Sequence, residues 1–160
     1  MSMTRTLTTA AIALALAALP TVGGTQSFQA GQPIMWGADE VSRTQTTLSL
    51  RGRAELTQGD NRIRADRVEG VIANGGLSRV EATGDVYFVT PEQTIRGDRA
   101  VYTPAKDTIV LTGDVILTQG ENVMTGGRLT YNTRTEAAEM DGGGQNGRVQ
   151  GVFYPESSGT

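Results

Sequence analysis

One unit occurs three times in this chain, and a repeat constrains the fold more than any other feature does. With Gly52, Gly84 and Gly113 in register, "GRAELTQGDNRIRADRVEG", "GDVYFVTPEQTIRGDRAVY" and "GDVILTQGENVMTGGRLTY" align without a gap, the leading glycines lying 32 and 29 residues apart. Ile63, Ile95 and Met124 occupy one aligned position, Ala65, Gly97 and Gly126 the next but one, and Arg67, Arg99 and Arg128 the next but one again. A partial copy precedes them in "WGADEV" and a degenerate one follows in "GGGQNGRVQGVFYP". Arg96-Gly97-Asp98, an adhesion tag if it stood on an exposed loop, is therefore one copy of a unit whose siblings read "IRADRV" and "MTGGRL".

Read outward from each glycine, even positions are apolar or small: Leu48, Leu50, Ala54 and Leu56, then Val80, Ala82, Val86 and Phe88, then Ile109, Leu111, Val115 and Leu117. Such alternation marks strands with one buried face. A turn signal follows each time, "TQGDN", "TPEQ" or "TQGEN", and then a second alternating stretch, so each unit is two strands joined by a tight turn. No segment shows a sustained helical period with caps, and helix content is expected to be very low. The phase slips at the Asp-Arg step, since Ile95 and Gly97 share a face and Ala100 and Tyr102 carry it afterwards; a β-bulge or sharp bend does this. Strand pairs repeated in this way build an elongated sandwich, jelly roll or solenoid. The ends of such a stack are unpaired edges, and neither "QPIMW" nor "VQGVFYP" carries a charge to guard one.

The inward face gathers Trp36, Leu56, Ile63, Val86, Phe88, Ile95, Tyr102, Leu111, Leu117, Met124 and Tyr131, interrupted by small residues such as Gly52, Ala54, Ala65 and Gly97. Small residues either let two sheets pack closely as a closed core or leave a groove between sheets that do not fully meet. Arg51, Arg53, Arg62 and Arg64 fall on outward positions of neighbouring strands. They could form a basic stripe for phosphate or an acidic partner, or a solvated face balanced by Glu55, Asp60 and Asp66.

The N-terminus reads "MSMTRTLTTAAIALALAALPTVGG", with one basic residue and an apolar run from Ala10 to Leu19. That run falls short of the roughly 20 residues that span a bilayer, and it is placed as a secretory signal is. Residues 1–24 are expected to be a cleaved signal peptide, with 25–31 a flexible segment, 32–155 the folded domain and 156–160 a flexible tail. A retained anchor is the alternative. The chain has no cysteine, so an exported domain here must be held by its core or by assembly. It has no histidine, which removes the commonest general base and metal ligand together, and no cofactor is expected. A net charge of -3 with one lysine among fourteen basic residues gives no nucleic-acid footprint.

The unit "GRAELTQGDNRIRADRV", its partner "GDVILTQGEN", the entry "QPIMWGADEV" and the terminal "GRVQGVFYP" together resemble the LptA/OstA-like periplasmic proteins, over about residues 32 to 155. The departures are "MTGGRL" in the third copy and "WGAD" where an isoleucine-rich strand is more usual. The resemblance implies an all-β, open, twisted β-jelly roll of repeated antiparallel strand pairs, whose apolar interior carries the acyl chains of lipopolysaccharide. It implies head-to-tail homo-oligomers that bridge from an LptC-like inner-membrane partner to an LptD-like outer-membrane translocon through the terminal strand edges. It implies a carrier, not an enzyme. Three rivals stand beside it: a tethered LptC-like member of the same system, a carboxylate-based carbohydrate-active β-solenoid, and an adhesin that displays Arg96-Gly97-Asp98.

Overall fold

In the computed structural model, residues 32–143 and 147–155 are described; the expected leader, the 25–31 segment and the 156–160 tail lie outside the described residues. The strands are β1 (Met35–Gly37), β2 (Glu40–Arg43), β3 (Thr47–Gln58), β4 (Asn61–Ala73), β5 (Gly76–Val89), β6 (Thr94–Thr103), β7 (Thr108–Gln119), β8 (Asn122–Asn132), β9 (Ala138–Asp141) and β10 (Gln150–Val152). Helix among the described residues amounts to one 3-10 turn, Pro104–Lys106. All strands join one antiparallel sheet in the order β1-β3-β4-β5-β6-β7-β8-β10, with β2 also on β3 and β9 also on β8, and the sheet does not close on itself. This is the all-β, open jelly roll that the repeat and the family resemblance implied.

The turns follow local chemistry. Gln58 pairs with Asn61 and Gln119 with Asn122, so Gly59-Asp60 and Gly120-Glu121 are two-residue hairpin loops, each glycine at φ +58. Asn74-Gly75 joins β4 to β5 with both residues at positive φ, the backbone that a type I′ turn demands.

Every long strand bends once, near its middle, and the bend is where the repeat is most strict. Burial slips phase at Asp66-Arg67 and Asp98-Arg99, as the alternation predicts. The ladder adds what alternation alone does not reveal: an extra residue in the partner strand. Gly52 and Arg53 together oppose Asp66, Gly84 and Asp85 oppose Asp98, and Gly113 and Asp114 oppose Gly127. Each bulge carries two successive residues at positive φ, +73 and +47 for Gly52-Arg53, +82 and +42 for Gly84-Asp85, and +82 and +43 for Gly113-Asp114. Glycine leads each pair for a second reason as well. The side chains of Asp39, Asp66 and Asp98 lie against the Cα positions of Gly52, Gly84 and Gly113, so a Cβ on Gly84 would stand 2.8 Å from both Cβ and Cγ of Asp66.

The third copy's "MTGGRL" has a steric cause. Gly127 stands where the other copies have aspartate, and a Cβ there would be 2.5 Å from the Gly142 carbonyl oxygen. Backbone fills the space that an aspartate side chain fills elsewhere.

The line of bends divides the sheet into two leaves. The first comprises 35–37, 54–58, 61–65, 86–89, 94–97, 115–119, 122–126 and 150–152; the second comprises 40–43, 47–51, 67–73, 76–83, 99–103, 108–112, 128–132 and 138–141. They fold toward each other. Phe88 of the first meets Tyr131 of the second, ring centroids 5.3 Å apart and tilted by 58°. Leu50, Val68, Val80, Val86, Ile95, Ile109, Leu111, Val115 and Leu129 are buried in the same cluster.

Burial pushes the Tyr102 hydroxyl up to about 12, with the charge of Asp107 adding to it, and burial also raises Tyr131 against an opposing hydrogen bond from Gln93.

Three outcomes test this account. Phe88→Ala removes the inter-leaf contact and should cost about 3–5 kcal/mol in urea unfolding. Gly84→Ala should destabilise by about 1–3 kcal/mol through strain at positive φ, and Asp66→Ala should relieve part of that loss in the double variant; strictly additive effects would show that the aspartate does not press on the glycine. Tyr102, whose folded pKa is raised, favours the native state fully below the unfolded value near 10. That contribution should disappear as pH rises through about 12, so Tyr102→Phe should flatten the alkaline limb of the unfolding curve.

Candidate lipid-binding face and sheet edges

Cross-strand register assembles the predicted lining residues into rows that run across the whole sheet. In the first leaf the row is Trp36, Leu56, Ile63, Phe88, Ile95, Leu117 and Met124, each paired with the next, ending on Gly151 of β10. Directly opposed residues on antiparallel strands project to the same face. Seven of the predicted residues therefore form one apolar line from the first edge strand, β1, to β8, the strand beside the last edge. Its middle is buried, with Phe88 1% and Ile95 0% exposed, and its ends open, with Trp36 52% and Met124 38% exposed.

The second leaf supplies two more rows. Val41, Leu50, Val68, Ala82, Ala100, Leu111, Leu129 and Met140 form one, and Leu48, Gly70, Val80, Tyr102, Ile109 and Tyr131 the other. Leu111 and Tyr131 are buried there and Tyr102 is half-buried. Val86 sits beside the bend, opposite Gly97. The lining list omits Val68 and Leu129, both buried. Their signal is the position after the repeated arginine, where the phase has just slipped.

Between the leaves the fit is tight: the space bounded by Leu48, Leu50, Leu56, Val68, Gly70, Leu77 and Val80 is about 10 Å³, at the lower limit for a single water. The face is inward and apolar, and in this state it is occupied by its own side chains.

The four singled-out arginines fall on two sides of the bend. Arg62 and Arg64 lie on the outer face of the first leaf and share Glu55, at 3.5 and 3.9 Å. Arg53, on the bulge, donates from Nε to Asp39 at 2.9 Å; that hydrogen bond holds the Asp39 carboxyl below its ordinary range and raises the Arg53 guanidinium. Arg51 belongs instead to an outer row of the second leaf, Arg51, Arg67, Thr83, Arg99, Thr112 and Arg128, in which the repeat's own arginines recur. Acids beside this row moderate it. Arg67 meets Glu69 at 3.6 Å, and Arg99 donates to Glu81 at 2.8 Å, the main cause of that carboxyl's lowered pKa. These pairs are solvent-exposed, a setting in which each contributes little stability.

Among the described residues, both sheet edges are free. At one, β1 and β2 form a single strand crossing the bend, separated by Ala38 and Asp39; at the other, β9 and β10 lie end to end along β8. The two related turns receive the two ends of the domain: Gln58 Nε2 donates to the Gln32 carbonyl at 3.0 Å, and the Tyr154 amide donates to Asn122 Oδ1 at 2.8 Å. A hollow of about 490 Å³ beside β1 is lined by Met35, Trp36, Asp39, Arg53, Glu55 and Thr57. Among the described residues, no group of three or more acidic side chains gathers as a metal site.

Comparison with known proteins agrees with this architecture. A solved structure of LptH from Pseudomonas aeruginosa, described as the LptA-homologous periplasmic component of the conserved lipopolysaccharide transport device, superposes with a TM-score of 0.70. It shares 22% sequence identity and covers 78% of this chain and 96% of its own. An uncharacterised protein of Rhizobium meliloti (strain 1021) is 28% identical over 138 residues, 79% of this chain and 73% of that protein. Residues 38–137, from the edge strand to the start of β9, match the family described as LptA/(LptD N-terminal domain) LPS transport protein. The chain belongs to that family, whose role is in lipopolysaccharide transport.

Proposed function

We propose that this protein is an exported, periplasmic carrier that binds the acyl chains of lipopolysaccharide on its inward apolar face and assembles head to tail into a bridge between the two membranes. The observation that carries this reading is the row from Trp36 to Met124, apolar throughout and exposed at both ends, Trp36 on the first edge strand and Met124 on the strand beside the last. A closed sandwich has no use for such ends. In a carrier they are where the apolar face of one copy continues into the next, or into an LptC-like or LptD-like partner. Binding here is burial rather than chemistry. Acyl chains that replace Phe88, Ile95 and Leu117 as each other's neighbours gain roughly 25 cal/mol for each Å² removed from water. Because those side chains now fill the interior, loading requires the two leaves to part.

The directions of the free edges support head-to-tail stacking. The β1–β2 strand runs antiparallel to β3, and the β9–β10 strand antiparallel to β8. With alternating strands between them, the first edge and the last edge point opposite ways. The last edge of one copy can then pair antiparallel with the first edge of another, first leaf beside first leaf. Arg96-Gly97-Asp98 lies within β6, with Asp98 turned against Gly113, which favours a role in the bend over one in adhesion.

Photo-crosslinkers placed at inward Phe88 and Leu117 should capture lipopolysaccharide, and those at outward Tyr87 and Thr118 should not; equal labelling from both faces would defeat the groove. The mature N-terminus, read by mass spectrometry from a periplasmic extract, should fall between Ala18 and Thr25. An intact Met1 on a membrane-bound chain would favour the tethered alternative.

A further inference from the structure

The two free edges are each divided by the bend into halves of opposite character. In the first leaf, β1 is Met35-Trp36-Gly37 and β10 is Gln150-Gly151-Val152, with no charge in either, and the exposed Phe153 and Tyr154 follow β10. In the second leaf, β2 carries Glu40 and Arg43, and β9 carries Glu139 and Asp141. Register tells which of these charges share a face. Glu40 lies opposite Arg51, Asp141 opposite Arg128 and Glu139 opposite Thr130, all on the outer side; Arg43 lies opposite Leu48, on the inner side. If the second-leaf halves of two copies paired, Glu40 would come beside Asp141 on the outer face. Arg43, turned to the other face, could not offset them. On the outer face, where each acid already faces an arginine of its own chain, the joint would add only the like-charge neighbour, which destabilises a strand pair.

The first-leaf halves have the opposite balance. Trp36 pairs with Leu56 and Gly151 with Met124, so both are inward, and alternation puts Phe153 on the same side. An antiparallel β10–β1 pair that keeps Trp36 level with Gly151, the register in which Glu40 would also meet Asp141, preserves the inward face; a slip of one residue would turn Trp36 outward. Burying Trp36, Met35, Val152 and Phe153, exposed by 52, 63, 55 and 75%, then adds apolar contact to the new ladder of hydrogen bonds.

We propose that the occupant of these edges is a second copy of this chain, joined through the first leaf alone: β10 of one copy pairs with β1 of the next, while β9 and β2 stay unzipped by their acids. This rests on the head-to-tail reading above. The joint is then one-sided, with a lateral gap in the second leaf at every junction.

The chain's lack of cysteine makes the test direct. Chains carrying Met35→Cys are mixed with chains carrying Val152→Cys, and in parallel chains carrying Ser42→Cys with chains carrying Glu139→Cys. Both mixtures are oxidised mildly under conditions where sedimentation shows oligomers. All four positions are exposed, and circular dichroism confirms that the sheet is retained. The inference expects mixed disulfide dimers from the Met35/Val152 mixture and none above background from the Ser42/Glu139 mixture. In addition, replacing Glu40 and Asp141 by Gln and Asn should make the second mixture crosslink. Crosslinking of the second mixture in the unmodified background, equal to or greater than that of the first, overturns the one-sided joint while leaving head-to-tail assembly standing. Monomers at every concentration, with no crosslink from either mixture, overturn both.

Discussion

The structure depends on a single steric arrangement repeated along the sheet, an aspartate side chain packed over a glycine that has no Cβ. Without the bulges at Gly52, Gly84 and Gly113 the strands would run straight, and a straight single sheet cannot bury one of its own faces. The bend turns one sheet into two leaves with a shared interior. It also dictates where the small residues fall, since Ala54 faces Ala65, Val86 faces Gly97 and Val115 faces Gly126 along its inner side. The fourth bend, where Gly127 meets the backbone of Gly142, solves the same problem with main chain alone.

Closure of the leaves and openness of the edges oppose each other. A core in which Val86, Ile95, Ile109 and Leu111 are fully buried is a stable resting state, and in the proposed carrier the cost of separating those side chains is what a bound lipid would have to offset. The row that begins at Trp36 and ends at Met124 relaxes this conflict at its two ends, where burial is already incomplete. In the proposed carrier, lipid entry at an end would disturb fewer contacts than entry through the middle, around Phe88 and Tyr131.

Much of this was legible in the residues before any coordinates. Alternation named the inward face of β3, β5 and β7 correctly because a strand with one dry side has only one way to be written, and the repeat located the bends because three copies slip at one position. What could not be read was how the slip is built. That the extra residue belongs to the glycine strand, and that Asp66 presses on Gly84, are facts of pairing between segments that periodicity within one segment does not contain. The arginines show the same limit. Arg51 and Arg53 are two residues apart, and in a straight strand they would share a face with Arg62 and Arg64 of the neighbouring strand; the bulge sends them to different neighbours. Asn74-Gly75 is the strongest hairpin signal in the chain, and it lies between repeats, where the aligned copies give it no second instance.

Each strand pair carries its own bend, its own hairpin and its own share of all three inward rows, and it packs chiefly on the pairs beside it. The cross-section is consequently independent of how many pairs are present. Span is then a quantity that evolution can set in steps of about one repeat, by duplication within a chain, while the shape of the apolar interior stays the same at every step.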